Sequence, residues 1–392
     1  MPHRGIDINL TTKTCNSMKF VISSAALSAH LMTIGRVIVQ KNNLPILDCF
    51  CFAIQGNKLT ITASDKDTTL STCLELNECD ADYTFAVNAK TLQDAIKEIP
   101  EQPLEFYLNT ETLEITIEYQ NGQYKLMGQD ASDYPMPSLP EEERINLTLA
   151  GSTLFAGLSR SLVAAANDVL RPQLNSVCFD IRDNSLSMVA SNGSHLALTR
   201  TYMGTGLEQT GSFLVSTRPA GLLRGMLSKE QGDVSMSFGS RNAIFSTETY
   251  TCICRLVEGK YPNYRSVIPQ DNPYIVTLNR QALISVLRRV LVFANPSAIL
   301  VKFRLEASTL NISSQDMDFG KSAEETMLCD YSGTPMRIAF KGSTLLELIQ
   351  NIDGEEIQLR LSDPSRAGLI VPATQKENEE VLMLIMPSVF ND

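Results

Sequence analysis

Leu59-Thr60-Ile61-Thr62-Ala63-Ser64-Asp65, Leu186-Ser187-Met188-Val189-Ala190-Ser191-Asn192 and Leu310-Asn311-Ile312-Ser313-Ser314-Gln315-Asp316 are three versions of one segment. Each alternates apolar and small polar residues and closes on a small polar turn, the pattern of a half-buried strand before a chain reversal. The copies lie roughly 125 residues apart, too far for a solenoid unit and right for a domain. Working outward, each copy is preceded by a helix-like stretch and, before that, by a short strand. Three similar domains in one chain point to a symmetric object and away from a single catalytic cleft.

The boundaries follow from the connectors. The first repeat runs from Met18 to Pro140 and ends in the proline-rich Asp133-Tyr134-Pro135-Met136-Pro137-Ser138-Leu139-Pro140. The second spans 143–269 and ends in Tyr261-Pro262-Asn263-Tyr264-Arg265-Ser266-Val267-Ile268-Pro269; the third spans 272–392. Residues 1–17 fit no repeat. They carry no long apolar core and no small-residue cleavage pattern, so they read as a disordered extension ahead of Met18, not as a signal peptide.

Each repeat is expected to carry two helices among many strands. Leu27, Leu31, Ile34 and Ile38 share one helical face, as do Leu92, Ile96 and Ile99. The second repeat offers Leu154, Leu158, Leu162 and Ala165, then Leu222, Leu223, Met226 and Leu227; the third offers Leu283, Leu287 and Val290, then Leu345, Ile349 and Ile352. Segments such as Leu113-Glu114-Ile115-Thr116-Ile117-Glu118-Tyr119 alternate with period two. The expected fold class is α+β, with an antiparallel sheet and two packed helices in every domain.

The formal charge is −11, so the surface as a whole repels polyanions, and any contact with DNA needs a local basic patch. Helix polar faces supply one. Arg36, Lys90, Lys97, Arg160, Arg224 and Arg288 all fall on the expected solvent side. Solvated faces are the bland reading, because Asp94, Glu98 and Glu347 share them. Phosphate contacts without base readout are the functional reading. The nine cysteines show no metal-ligand spacing; Cys49 and Cys51, like Cys252 and Cys254, alternate as strand residues do, which fits a reducing, cytoplasmic compartment. No apolar run is long enough to span a bilayer. No phosphate loop, paired-carboxylate motif or cofactor motif is present, and Ser194-His195 is a poor hydrolase pair because neighbours on a strand point to opposite faces.

Met18-Lys19-Phe20, Leu44-Pro45-Ile46-Leu47, Asp168-Val169, Ala190-Ser191-Asn192-Gly193-Ser194-His195-Leu196-Ala197, Tyr261-Pro262-Asn263-Tyr264 and Ile385-Met386-Pro387 stand in a fixed order along the chain. That ordered set, with the threefold repeat, resembles the bacterial sliding clamp family, the β subunit of replicative DNA polymerase III. The resemblance implies a non-catalytic processivity factor without a cofactor. It implies a clamp architecture in which a head-to-tail homodimer closes into a ring around double-stranded DNA, helices inside and sheets outside. It further implies DNA-facing positions at Lys41, ahead of Leu44-Pro45, and at Arg218, and a subunit contact between Tyr124 and Leu126 of one copy and Val292 and Phe293 of the other. Replicative polymerase, clamp loader and repair proteins would dock through short linear motifs in a groove between the second and third domains. By position that groove would be lined by Leu174, Ser191, Gly193, Ser194, His195, Leu196, Pro262, Val267, Ile385, Met386 and Pro387. The chain departs from the family pattern at Ser194 and Ser266, which alters the groove rim, and in the tail beyond Pro387. The alternative is a repeat-domain interaction scaffold that never encircles DNA.

Overall fold

The computed structural model describes residues 17–39, 42, 44–137, 143–204, 209–228 and 230–390. The expected extension therefore lies outside the described residues except for Ser17, which is no part of a disordered segment: it opens the first strand and pairs with Asn109. Lys41 also lies outside them.

Six α-helices occur among the described residues: α1 Ser24–Ile34, α2 Ala89–Ile96, α3 Gly151–Leu162, α4 Thr217–Leu227, α5 Arg280–Val290 and α6 Gly342–Gln350. They punctuate one order three times. A strand leads into a helix, four strands follow, then a second helix, then three strands. The second repeat shows it cleanly: Ile145–Ala150, α3, then Ser176–Arg182, Ser185–Ser191, His195–Tyr202 and Gly211–Ser216, then α4, then Asp233–Phe238, Asn242–Ser246 and Tyr250–Arg255. The first repeat adds only the two-residue strand Glu78–Cys79. In all three, the opening strand pairs antiparallel with the strand after the second helix: Ser17–Ser23 with Pro103–Asn109, Ile145–Ala150 with Asp233–Phe238, and Tyr274–Asn279 with Glu356–Leu361. The three alternating segments at 59–65, 186–192 and 310–316 form the strands Lys58–Ser64, Ser185–Ser191 and Thr309–Asp316, each the middle member of an antiparallel meander.

Local chemistry explains where the helices start and stop. Ser23 caps α1 by accepting from the Ala26 N–H, Asn88 caps α2 through the Thr91 N–H, and Asn279 caps α5 through the Ala282 N–H. Leu27, Leu31 and Ile34 form the buried stripe of α1. Ile38 and Ile99 fall beyond their helices and are only half-buried, so each expected stripe is one turn shorter than the periodicity suggested. In α3 the buried stripe is Leu154, Gly157, Leu158 and Ser161. Leu162, the last residue of α3, and Ala165, beyond its end, are only half-buried; at Gly157 α3 lies so close to the sheet that a Cβ would overlap the Met188 side chain.

Contacts divide the chain into two compact units. One holds the described residues of Met1–Ser138 with Glu248–Ile253, and its sheet runs Thr68–Glu75, Lys58–Ser64, Cys49–Gln55, Tyr83–Asn88, Gly122–Gln129, Glu114–Tyr119, Pro103–Asn109, Ser17–Ser23 and Glu78–Cys79. Phe20, Phe52, Phe85 and Phe106 make its aromatic core. The other unit contains most of the second repeat and all of the third. They are one body because His195–Tyr202 pairs with Glu379–Ile385 in a seven-residue antiparallel ladder. The resulting sheet runs Gly211–Ser216, Ser176–Arg182, Ser185–Ser191, His195–Tyr202, Glu379–Ile385, Gly368–Pro372, Glu356–Leu361 and Tyr274–Asn279. A separate four-stranded sheet, Lys321–Leu328, Thr309–Asp316, Leu300–Glu306 and Met336–Lys341, completes the third repeat.

Candidate functional site

The seam between the second and third repeats builds a two-faced surface. Directly paired residues share a face, so the register sets Leu196 with Leu384, Leu198 with Leu382, and Leu384 in turn with Leu369. Cys178, Val189 and Leu214 extend this apolar band across the neighbouring strands, and all of these residues are buried in one cluster. The opposite face carries His195 with Ile385 and Thr199 with Val381, and α3 packs against it. The ladder runs one step past the strand, since the Met386 N–H donates to the Ser194 carbonyl at 2.9 Å. Alternation then returns Met386 to the Leu384 side, where it is 42 % exposed.

A tight turn ends the sheet beside that band. The Asn192 carboxamide oxygen accepts from the Ser194 N–H at 2.9 Å, the Ser194 hydroxyl at 3.0 Å and the His195 N–H at 3.2 Å. The Ser191 hydroxyl donates to the His195 carbonyl at 2.8 Å. Gly193 sits at φ 96°, where a side chain would be strained, which accounts for a glycine between two polar residues. Gly193 and Ser194 are exposed at the rim, and Ser191 is half-buried.

The connector after Arg255 lies over the band. Val257, Tyr261, Tyr264 and Ile268 pack against the cluster. The short turn Tyr264–Val267 presents Val267, which is 56 % exposed, and Pro262 is exposed beside it. The Tyr264 hydroxyl donates to Asp180 Oδ2 at 2.7 Å and Arg265 Nη2 donates to the same oxygen at 3.2 Å. Gln173, next to the half-buried Leu174, donates to the Glu258 carbonyl at 3.3 Å, which ties the loop after α3 to the connector. The Ser266 hydroxyl is spent on its own turn, donating to the Asn263 carbonyl at 2.8 Å.

Of the expected lining residues, Leu196 lies in the buried band, Ser191, Gly193 and Ser194 form the turn at its end, Met386 follows Leu384, and Tyr264, between Pro262 and Val267, packs into the band. Two expected lining residues are corrected. Ile385 and His195 face the α3 side, because a one-residue step along a strand reverses the face. Their place is taken by Leu384, which the sequence reading passed over although it is the alternate residue of the same strand. His195 is 8 % exposed, and burial lowers its imidazole below the ordinary value of 6.5. Its Nδ1 lies 3.2 Å from the Ser194 hydroxyl, a contact the turn allows and a regular strand would not. That hydroxyl already bonds Asn192, and the ring's other polar contact is the Val163 backbone, so no carboxylate completes a triad.

The basic residues divide as well. Lys90 is exposed on α2 and Lys97 at its C-cap, Arg36 on the short turn after α1, Arg218 at the start of α4 and Arg288 on α5, while Arg224 is half-buried. Lys97 bonds Asp94 at 2.8 Å, which holds the lysine pKa up and the aspartate pKa down. Arg160 is the correction. It is 3 % exposed, donating to Glu379 Oε1 at 2.7 Å and to Asp353 Oδ2 at 2.5 Å. The wheel placed it opposite Leu158, but in the folded unit the third repeat closes over that side of α3. Among the described residues no helix is long and apolar enough to cross a membrane.

Against known proteins, residues 18–140 match the model for the N-terminal domain of the DNA polymerase III beta subunit, 148–263 the central domain and 265–388 the C-terminal domain. The beta sliding clamp of Pseudomonas putida is 27 % identical over 370 residues, covering 93 % of this chain and 99 % of the relative. That of Treponema pallidum is 26 % identical over 375 residues, covering 94 % and 99 %. Among solved structures, the sliding clamp of Pseudomonas aeruginosa bound to griselimycin superposes with a TM-score of 0.90 at 23 % identity, covering 95 % of this chain and all of that one. The Bartonella birtlesii clamp bound to griselimycin gives 0.88 at 25 % identity over the same shares.

Proposed function

This chain belongs to the DNA polymerase III beta subunit family and is a non-catalytic DNA sliding clamp, and from that premise we propose that two copies close head to tail into a ring and carry partner proteins on the groove at the repeat 2–3 seam. One observation carries the ring. Inside the chain, the third meander strand of repeat two is completed by the last strand of repeat three. The corresponding strand of repeat three, Lys321–Leu328, is an edge that, among the described residues, pairs on one side only, with Thr309–Asp316. The last strand of repeat one, Gly122–Gln129, meets Tyr83–Asn88 through just two residue pairs. A second copy supplies each edge with its missing neighbour, and one rotation repeated twice closes the ring. Tyr124 and Leu126 would meet Val292 and Phe293, of which Val292 is 73 % and Phe293 39 % exposed.

Arg36, Lys90, Lys97, Arg218, Arg224 and Arg288 are the DNA-facing set in this reading, with Arg160 withdrawn. The partners are polymerase, clamp loader and repair proteins bearing short motifs, in the cytoplasm, and the three domains are 18–140, 143–269 and 272–392. Topological linkage needs little affinity, so sparse non-specific phosphate contacts suit a sliding protein. Loading onto nicked circular DNA, followed by linearisation, tests the ring: the clamp should stay on the circle and run off the ends. Equal retention on both would favour a scaffold that does not encircle DNA.

A further inference from the structure

We infer that Asp180 is a positioning residue for the peptide groove, latching through Tyr264 and Arg265 the connector whose Pro262 and Val267 form the outer wall. The inference rests on the groove reading above and names what sets the groove's shape.

Asp180 occupies an apolar position. It lies two residues after Cys178 in Ser176–Arg182, on the face of the buried band, and is 2 % exposed. Its cross-strand neighbours there, Ser187 and Ser212, are small and uncharged. An aliphatic side chain would suit the sheet better, because a buried carboxylate is costly unless every oxygen is satisfied. The sheet itself meets only part of that demand, with Arg182 Nε donating to Oδ1 at 3.0 Å. Both partners of Oδ2 come from the connector: the Tyr264 hydroxyl at 2.7 Å and Arg265 Nη2 at 3.2 Å. Arg265 Nε also donates to the Tyr264 oxygen at 3.2 Å, which closes a three-membered ring of hydrogen bonds. The carboxylate is therefore fully partnered only when the connector is seated.

At its start the connector is held by the Val257 N–H, which donates to the Leu214 carbonyl at 2.8 Å, and by Gln173 on the Glu258 carbonyl; beyond that point its other contacts on the band are largely apolar, through Tyr261 and Ile268. Apolar contacts carry no direction and would let the segment slide. Charge-assisted hydrogen bonds carry direction. Tyr264 packs in the same cluster as Leu196 and Leu384 and opens the turn that ends at Val267, so fixing Tyr264 restricts where the exposed Val267 stands.

The test titrates a fluorescent polymerase-tail peptide against the full-length dimer and its Tyr264→Phe, Asp180→Asn and Leu384→Asp variants, with the melting temperature and dimer mass measured alongside. Tyr264→Phe removes one hydroxyl and keeps the ring in the cluster. It should weaken the peptide on the order of fivefold, mainly through faster dissociation, in protein that is folded and dimeric. Asp180→Asn should act in the same direction, and the double variant should lose less than the product of the two single effects. A purely structural role would lower the melting temperature and leave the affinity of the folded protein unchanged; that result, with Leu384→Asp still abolishing binding, overturns the latch alone. Binding that survives Leu384→Asp overturns the groove itself, and the latch with it.

Discussion

Leu196 and Leu384 face each other across the junction of the second and third repeats, in register and 1 % and 4 % exposed, so the floor of the proposed groove is also the core that joins two domains. Binding and folding are coupled at this point, and mutations there must be read with both measurements in hand.

Leu384→Ala should cost about 2–4 kcal/mol, the usual range for deleting a buried leucine in a close-packed core. Peptide affinity should fall with it. Deletion from Met386 onward should abolish peptide binding and leave the dimer mass unchanged. Micromolar affinity, about −8 kcal/mol, is expected for the wild type, and denaturant melts beside peptide titrations separate the two effects.

Arg160→Ala should destabilise the chain by up to about 3 kcal/mol, because it removes the close guanidinium from the largely buried Glu379 and leaves it only the exposed Lys376 at 3.8 Å. DNA retention of the folded variant should equal that of the wild type. Arg160→Met, which refills the space, should cost less. A change in the salt slope of DNA binding for either variant would return Arg160 to the channel.

Arg288→Glu and Lys90→Glu should weaken retention on circular DNA, and each lost phosphate contact should reduce the slope of log K against log salt by about one. Melting temperature should barely move, since both side chains are exposed. Salt titrations of loaded clamp read the slope directly.

Leu126→Asp, or Val292→Asp, should convert the particle to a monomer at micromolar concentration by light scattering. Salt should not rescue the mutants, because an apolar contact is not screened.

Stability should fall on the acid side through the histidines. Burial lowers both His30 and His195 below 6.5, so the unfolded chain binds more protons just under that value. The contribution is complete above pH 6.5 and is lost as pH drops toward the folded-state pKa values. His195→Gln should flatten the slope of melting temperature against pH just below 6.5, and chemical denaturation at stepped pH measures it.

Much of this protein was legible from residue order. The alternation at 59–65, 186–192 and 310–316 set three meander strands, and helix faces such as Leu27, Leu31 and Ile34 were correct because period and polarity are local properties. The connector Pro262 to Val267 and the turn at Gly193 were legible for the same reason: their chemistry is contained in a few adjacent residues. Asp180, inside the apolar run Val177-Cys178-Phe179-Asp180-Ile181, was a readable signal that went unused.

What the sequence alone determined is the repeat, its strand and helix types and the family to which the motifs belong, since each depends on periodicity or on residues close in the chain. Tertiary structure alone decided which face each strand residue serves and which charges remain in water. Register between His195–Tyr202 and Glu379–Ile385, strands almost two hundred residues apart, turns Leu384 toward the groove and Ile385 away from it. The same closure carries Glu379 and Asp353 onto Arg160 and changes a presumed DNA contact into an internal ion pair. A helical wheel knows only the helix; burial is set by whatever packs against it.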